Sequence, residues 1–167
     1  MAAGSSPSAA TIVVDAGAEN TIVVAPGANA HLTMASAEVR AVVADADVVL
    51  IQLEIPLETA LAAARVARAA GAAVVVNASP VRTAPGDLEA LASTSDVVVV
   101  NEAEAREWHW PVPHLVTTRG ALGARHLHDG QSVDVPTPAV EPVDTTGAGD
   151  VFAGCLLYTS PSPRDRS

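Results

Sequence analysis

The sequence predicts an α/β fold in which strands and helices alternate, so that successive βαβ units pair their strands in a mostly parallel sheet with right-handed crossovers. Three short runs carry that prediction. Residues 47–52, 72–76 and 96–100 are apolar and β-branched without polar alternation, the pattern of strands buried on both faces. Helical patterns occupy the intervals between them.

The elements follow in order. Thr11-Ile-Val-Val and Thr21-Ile-Val-Val form a near-repeat around Asp15-Ala-Gly-Ala-Glu-Asn20, which predicts a hairpin with a long loop. Pro26-Gly27 ends it. A short helix is expected from Ser36, a candidate cap, with Glu38 in its first turn. Residues 56–70 give the clearest helical pattern. Pro56 stands at its first turn and Gly71 at its end, while Leu57, Leu61 and Ala64 share a face that Arg65 and Arg68 leave. Turns at Pro80 and Pro85-Gly86 lead to a short helix at 87–92, and Asn101-Glu-Ala-Glu-Ala opens another. Residues 115–118 and 124–128 are further strand candidates beyond Pro111 and Pro113. His31, His109, His114, His126 and His128 lack metal-ligand spacing and read as surface residues, the last two on one strand face. Trp108 and Trp110 are expected to cap a core edge.

Composition limits the function classes. A chain of 167 residues is expected to form one domain with a proper core. With 49% apolar residues and a mean hydropathy of +0.31, it lacks the composition of a disordered chain. No apolar run reaches the roughly 18 residues that a membrane-spanning helix needs. The first ten residues carry no Lys or Arg, which argues against a secretory signal, and a cytoplasmic location is expected. The single cysteine, Cys155, cannot build a disulfide framework or a cysteine zinc site. All nine basic residues are arginine, which removes Schiff-base chemistry and the lysine-dependent P-loop. A net charge of −10 argues against nucleic acid or a membrane surface as partner. Residues 155–167 hold the chain's only Cys and Tyr, with two prolines where a helix has just begun. They resemble translated adapter DNA and are expected to be a non-native or disordered tail, with the folded unit confined to residues 1–154.

Asp144-Thr-Thr-Gly-Ala-Gly-Asp150 is the informative motif. Gly147 and Gly149 let backbone approach a ligand, and the helical residues after them supply free N–H groups, an anion site that needs no lysine. A carboxylate at the end of that turn is unfavourable beside a bound phosphate unless it has a role there. Asp150 is therefore a candidate general base for a hydroxyl attacking the phosphate. A tight turn with Asp150 favouring the helix dipole is the plainer alternative.

Asp-Thr-x-Gly-Ala-Gly-Asp resembles the second signature of the ribokinase-like (PfkB) carbohydrate kinases, and further blocks agree with that family in order. They are Pro26-Gly-Ala-Asn-Ala30 with Leu32-Thr33, Gln52-Leu-Glu54 with Pro56-Leu-Glu58, Asn77-Ala-Ser-Pro80, Asn101-Glu-Ala-Glu104, and Thr118-Arg-Gly120-Ala-Leu-Gly123. The resemblance implies a three-layer α/β/α fold with a small β lid at residues 10–33. It also implies ATP-dependent phosphorylation of a sugar, D-ribose in the first instance. Asp150 would be the base, with the amides of Gly147, Ala148 and Gly149 as the anion hole. Asn101, Thr118, Gly120 and Gly123 would flank the nucleotide, and Glu104 would serve Mg²⁺, which keeps most of its waters. Glu54, with Asp150, would meet the sugar. Asp144 and the Thr146 backbone would belong to a K⁺ site, and the lid would pair two subunits as a homodimer.

Departures from the family pattern accompany the agreement. Its N-terminal sugar-binding motif and everything after Gly154 are not found, so the chain reads as a kinase truncated at both ends and inactive as it stands. The stretch between Asn101 and Thr117 is short, which implies a stunted helix there, and Ala78 stands where a proline is usual. The alternatives are a relative acting on fructose, a deoxyribose-type sugar or a nucleoside, an inactive remnant, and a non-catalytic nucleotide-binding module. The last should open its first βαβ unit with Gly-x-Gly-x-x-Gly, and no such run occurs there.

Overall fold

The structure is a computed structural model that describes residues 6–14, 20–81, 85–141 and 144–159. The loop read at 15–20 and the residues after 159 fall largely or wholly outside them. Strands β1 (Ala9–Val14) and β2 (Asn20–Ala25) form the expected antiparallel hairpin, with Ile12 opposite Ile22. A 3-10 turn at Gly27–His31 follows, then helix α1 (Ala37–Asp45). Ser36 precedes α1 but makes no capping hydrogen bond; its hydroxyl lies 3.5 Å from a Glu38 carboxylate oxygen instead.

The main sheet has six strands in sequence order: β3 (Val48–Gln52), β4 (Ala73–Asn77), β5 (Val97–Asn101), β6 (His114–Thr118), β7 (Ala124–His128) and β8 (Gln131–Val135). Pairing is parallel from β3 to β6 and antiparallel from β6 to β8. Strand β8 has no counterpart in the sequence reading. It is exposed along its whole length and carries a short polar/Val alternation, so it is defined by pairing with β7 rather than by burial.

Helices cover both faces, as the three-layer expectation requires. On one face lie α1, α2 (Leu57–Ala69) and α3 (Pro85–Thr94), the last longer at both ends than the expected 87–92. The buried stripe of α2 is Ala60, Ala63, Ala64 and Ala67 with Thr59, whereas Leu57 and Leu61 are only half-buried. The reason is steric: alanines at i, i+3, i+4 and i+7 let the helix lie close to Val74, Val76 and Val98. Trp108 completes this core, donating its indole N–H to the Trp110 carbonyl at 2.9 Å. On the other face α5 (Ala148–Thr159) packs Phe152, Leu156 and Leu157 against Val75, Val99 and Val116. Helix α5 thus continues past Gly154, where the sequence reading ends the folded unit. Between β5 and β6, α4 (Glu102–Ala105) is a single turn, in line with a stunted helix. Among the described residues no helix is long and apolar enough to cross a membrane.

Two features differ from a plain surface reading. Gly123 has φ +85°, and an added Cβ would stand 2.0 Å from the Val135 carbonyl oxygen. That glycine lets the β6–β7 loop pass directly over the end of β8. The histidines, read as scattered, gather instead: His114 Nδ1 lies 2.9 Å from His126 Nε2, and the His114 and His128 rings stack with centroids 4.1 Å apart. Pairing of β6 with β7 brings them together across 12 and 14 residues of sequence. Burial, then the neighbouring His128 and His126, hold the His114 imidazole below its ordinary pKa, while Asp129 and Asp96 oppose the shift.

Replacing Gly123 by Ala is expected to destabilise the fold markedly more than Gly120→Ala, whose Cβ meets open space although its φ of +52° carries the same kind of backbone cost. Paired urea-unfolding midpoints check this. His114 predicts a pH dependence. A histidine pKa depressed by folding means that the unfolded chain binds more protons, so stability is full above about pH 6.5 and declines as pH falls below it. In urea titrations the midpoint should fall on acidification, and His114→Gln should flatten that slope.

Candidate active site

Parallel pairing sends four strand ends to one edge. Gln52 is in register with Asn77, and Asn101 with Thr118, so β3, β4, β5 and β6 each finish on a polar residue at the same carboxyl edge. In β3, β4 and β5 the residues before these positions are apolar; the change marks where chain leaves the core, the place at which open α/β sheets bind ligands.

The motif at 144–150 forms the turn into α5. Asp144 Oδ1 accepts the Thr146 N–H at 2.8 Å, and this bond, with a second to the Thr146 side chain, holds its carboxyl below the usual carboxylate range. Gly147 adopts φ +73°, and no atom lies within 4 Å of the place a Cβ would take on Gly147 or Gly149. Of the three amides expected to form an anion hole, that of Ala148 is engaged inside the turn, donating to the Thr145 carbonyl at 3.1 Å. Those of Gly147 and Gly149 have no backbone acceptor among the described residues. The turn can therefore still present two amides at a helix start to an anion.

Asp150 occupies the first turn of α5, three residues before the fully buried Ala153, on the side of the helix that faces the sheet. Its carboxylate is exposed, and Oδ1 accepts a hydrogen bond from Gln52 Nε2 at 2.7 Å. Gln52 belongs to the Gln52-Leu-Glu54 block, but its sequence neighbours assign it no role. The signal available was alternation: Val48, Leu50 and Gln52 lie on one side of β3 and Val49 and Ile51 on the other, where Ile51 joins the α2 core.

Asn101 and Glu104 form a reciprocal capping box on α4. Asn101 Oδ1 accepts the Ala103 and Glu104 amides, both at 2.9 Å, and Glu104 Oε2 accepts the Asn101 N–H at 2.8 Å. Both side chains are thus fixed at the carboxyl edge, while Glu104 Oε1 is uncommitted among the described residues. The Thr118 hydroxyl donates to the Val100 carbonyl at 3.3 Å. Gly120 and Gly123 shape the following 3-10 turn, and the structural reason for Gly123 is the close approach to β8 described above. Glu54 is exposed in the turn after β3 and borders, with Gln52, a cavity of about 430 Å³ between the Gly27–His31 turn, α1, β3 and α2.

No group of three or more His, Cys, Asp or Glu among the described residues could by itself hold a metal ion. Glu104, with one free carboxylate oxygen, fits a magnesium ion that keeps its waters and leans on substrate phosphates. Asp144, kept ionised, and the Thr146 carbonyl are oxygen donors of the kind a monovalent cation takes.

The pfkB family carbohydrate kinase model matches residues 1–111 and 109–165. The ribokinase of Haemophilus influenzae is 33% identical over 165 residues, covering 87% of this chain and 53% of that protein. The ribokinase structure from Giardia lamblia superposes with a TM-score of 0.82 at 27% identity, over 97% of this chain and 60% of that one. An adenosine kinase structure from Sinorhizobium meliloti does so with a TM-score of 0.82 at 26% identity, over 95% and 57%. The chain thus spans about half the length of the curated relatives it matches. Since the family match takes in both the sheet edge and the Asp144–Asp150 turn, the chain belongs to the pfkB family of carbohydrate kinases.

Proposed function

We propose that this chain is the part of an ATP-dependent sugar kinase that carries its base, its phosphate-binding turn and its nucleotide edge, and that the sugar is D-ribose. The observation that carries the reading is Asp150, exposed in the first turn of α5 directly behind the Gly147 and Gly149 amides, which have no backbone acceptor among the described residues, and turned to the carboxyl edge of the sheet. The 5-hydroxyl of the sugar attacks the γ-phosphorus of ATP. As the new O–P bond forms and the bond to ADP breaks, the hydroxyl proton passes to the Asp150 carboxylate. The amides of Gly147 and Gly149 receive the charge that builds on the transferred phosphoryl oxygens. Asn101, Thr118, Gly120 and Gly123 border the nucleotide, and Glu54 faces the sugar hydroxyls. Glu104 would hold Mg²⁺, and Asp144 with the Thr146 carbonyl would hold K⁺; when bound, these cations would supply charge neutralisation on the phosphates and at the turn.

The choice of ribose is supported by the identity with ribokinases and by the Gln52-Leu-Glu54 and Pro26-Gly-Ala-Asn29 blocks. A nucleoside as acceptor is the second reading, supported by the likeness to an adenosine kinase structure. Because the chain spans about half its relatives, the assay uses the chain extended on both sides by its own coding sequence, with magnesium and potassium present. ADP release is expected with ribose ahead of adenosine; the reverse order would favour the second reading. In that protein Asp150→Asn should lower kcat by at least about 100-fold while ATP affinity stays within a few-fold. Near-normal turnover by the variant would remove Asp150 from the role.

We also propose that the β1–β2 hairpin is a lid that pairs two copies. Ile12, Val13, Val23 and Val24 are all exposed large apolar side chains on that two-stranded sheet, and its edges are unpaired among the described residues. Light scattering at tens of micromolar is expected to report a dimer, and Val13→Lys with Val23→Lys is expected to weaken it; a clean monomer before substitution would refute the pairing.

A further inference from the structure

We propose that Gln52 is a positioning residue for the base, its side-chain amide holding one oxygen of Asp150 so that the other is turned to the attacking hydroxyl. The inference rests on the reading of Asp150 as the base, and it adds a residue from the edge strand β3.

The geometry is specific. The Gln52 Nε2–Asp150 Oδ1 bond, 2.7 Å long, joins residues 98 positions apart, from the edge strand β3 and from the first turn of α5. Strand alternation puts Gln52 on the α5 side of β3, and register with Asn77 fixes its backbone at the carboxyl edge. Gln52 is half-buried while Asp150 is exposed, so the ordered partner restrains the free one. An exposed aspartate samples several rotamers, and fixing one in advance lowers the entropy lost on reaching the reactive geometry. The donor is a neutral amide. It can neither take the proton itself nor neutralise the carboxylate as an arginine would, so Asp150 Oδ2 keeps its lone pairs for the hydroxyl proton. In the transfer that proton moves to Oδ2, the sugar oxygen bonds to phosphorus, the bond to ADP breaks, and the Gln52 N–H bond to Oδ1 persists throughout. The same contact ties the phosphate-binding turn to β3, one residue before Leu53-Glu54 leads towards the sugar side.

The test has two arms. Gln52 and Gln131 are the chain's two glutamines, so side-chain amide signals of the ¹⁵N-labelled 167-residue chain report on the bond, with Gln131 on β8 as internal control. Asp150→Ala is expected to shift the Gln52 pair and leave the Gln131 pair in place; an unmoved Gln52 pair overturns the proposal whatever the chemistry of the protein. In the extended, active chain, Gln52→Glu keeps the shape but loses the donor. Its kcat is expected to fall about ten-fold, the scale of one lost hydrogen bond to a charged group, with the KM for ATP unchanged. Acidification, which protonates the new carboxyl and restores an O–H donor, should recover part of that loss relative to the parent. Gln52→Leu provides a second variant that no pH restores. Normal turnover by Gln52→Glu overturns the positioning role. Normal turnover by Asp150→Asn, with the Gln52 amide shift intact, instead overturns the base reading and this proposal with it, leaving the contact as a structural tie.

Discussion

Parallel pairing from Val48 to Thr118 is the constraint under which the candidate site assembles. Each crossover through α2, α3 or α4 returns the chain to the same end of the sheet, so four successive strands finish side by side on Gln52, Asn77, Asn101 and Thr118. That geometry depends on packing distance. The alanine stripe of α2 lets the helix sit against the valines of β4 and β5 without a bulky layer between, and Asp96 secures the opposite end of the sheet. Its Oδ2 accepts the Val74 N–H at 2.8 Å, while Oδ1 meets the Arg68 guanidinium at 3.2 Å.

At the carboxyl edge the same bonds that close the backbone also fix the side chains that the proposed chemistry uses. Asn101 and Glu104 satisfy the open amides at the start of α4, and in doing so hold one amide group and one carboxylate oxygen outward. Asp144 satisfies the Thr146 amide, and that bond holds its carboxyl below the usual carboxylate range. Gly147 gives the turn a backbone that a Cβ would strain.

On the proposed function, charge accounts for the weight that falls on backbone amides. The chain has no lysine, and three of its arginines are already committed: Arg68 to Asp96, Arg119 to Glu102 and Asp134, and Arg125 to Asp134 through a two-point contact at 2.7 and 2.9 Å. An acidic chain of net charge −10 can therefore favour a phosphate most directly through backbone dipoles and through cations gathered by its carboxylates.

The sequence by itself determined the local pieces. The three apolar runs, the proline-to-glycine helix at 56–70 and the Gly147-Ala-Gly149 turn are encoded in neighbouring residues, because strand burial, helix punctuation and left-handed backbone are short-range properties. The family motifs marked the same turn and the same strand ends. Tertiary structure alone decided what distant residues do to one another. Strand β8 exists by pairing with β7, the three histidines meet only because β6 and β7 are antiparallel, and Gly123, whose φ already favours glycine, admits no Cβ at all because Val135 passes beneath it. The face that α2 buries was likewise chosen by the closeness of the sheet, which favoured alanine over leucine. The contact between Gln52 and Asp150 belongs to this second kind: neither residue's neighbours announce the other, and only the placement of α5 over the end of β3 brings a strand-end amide to a helix-start carboxylate.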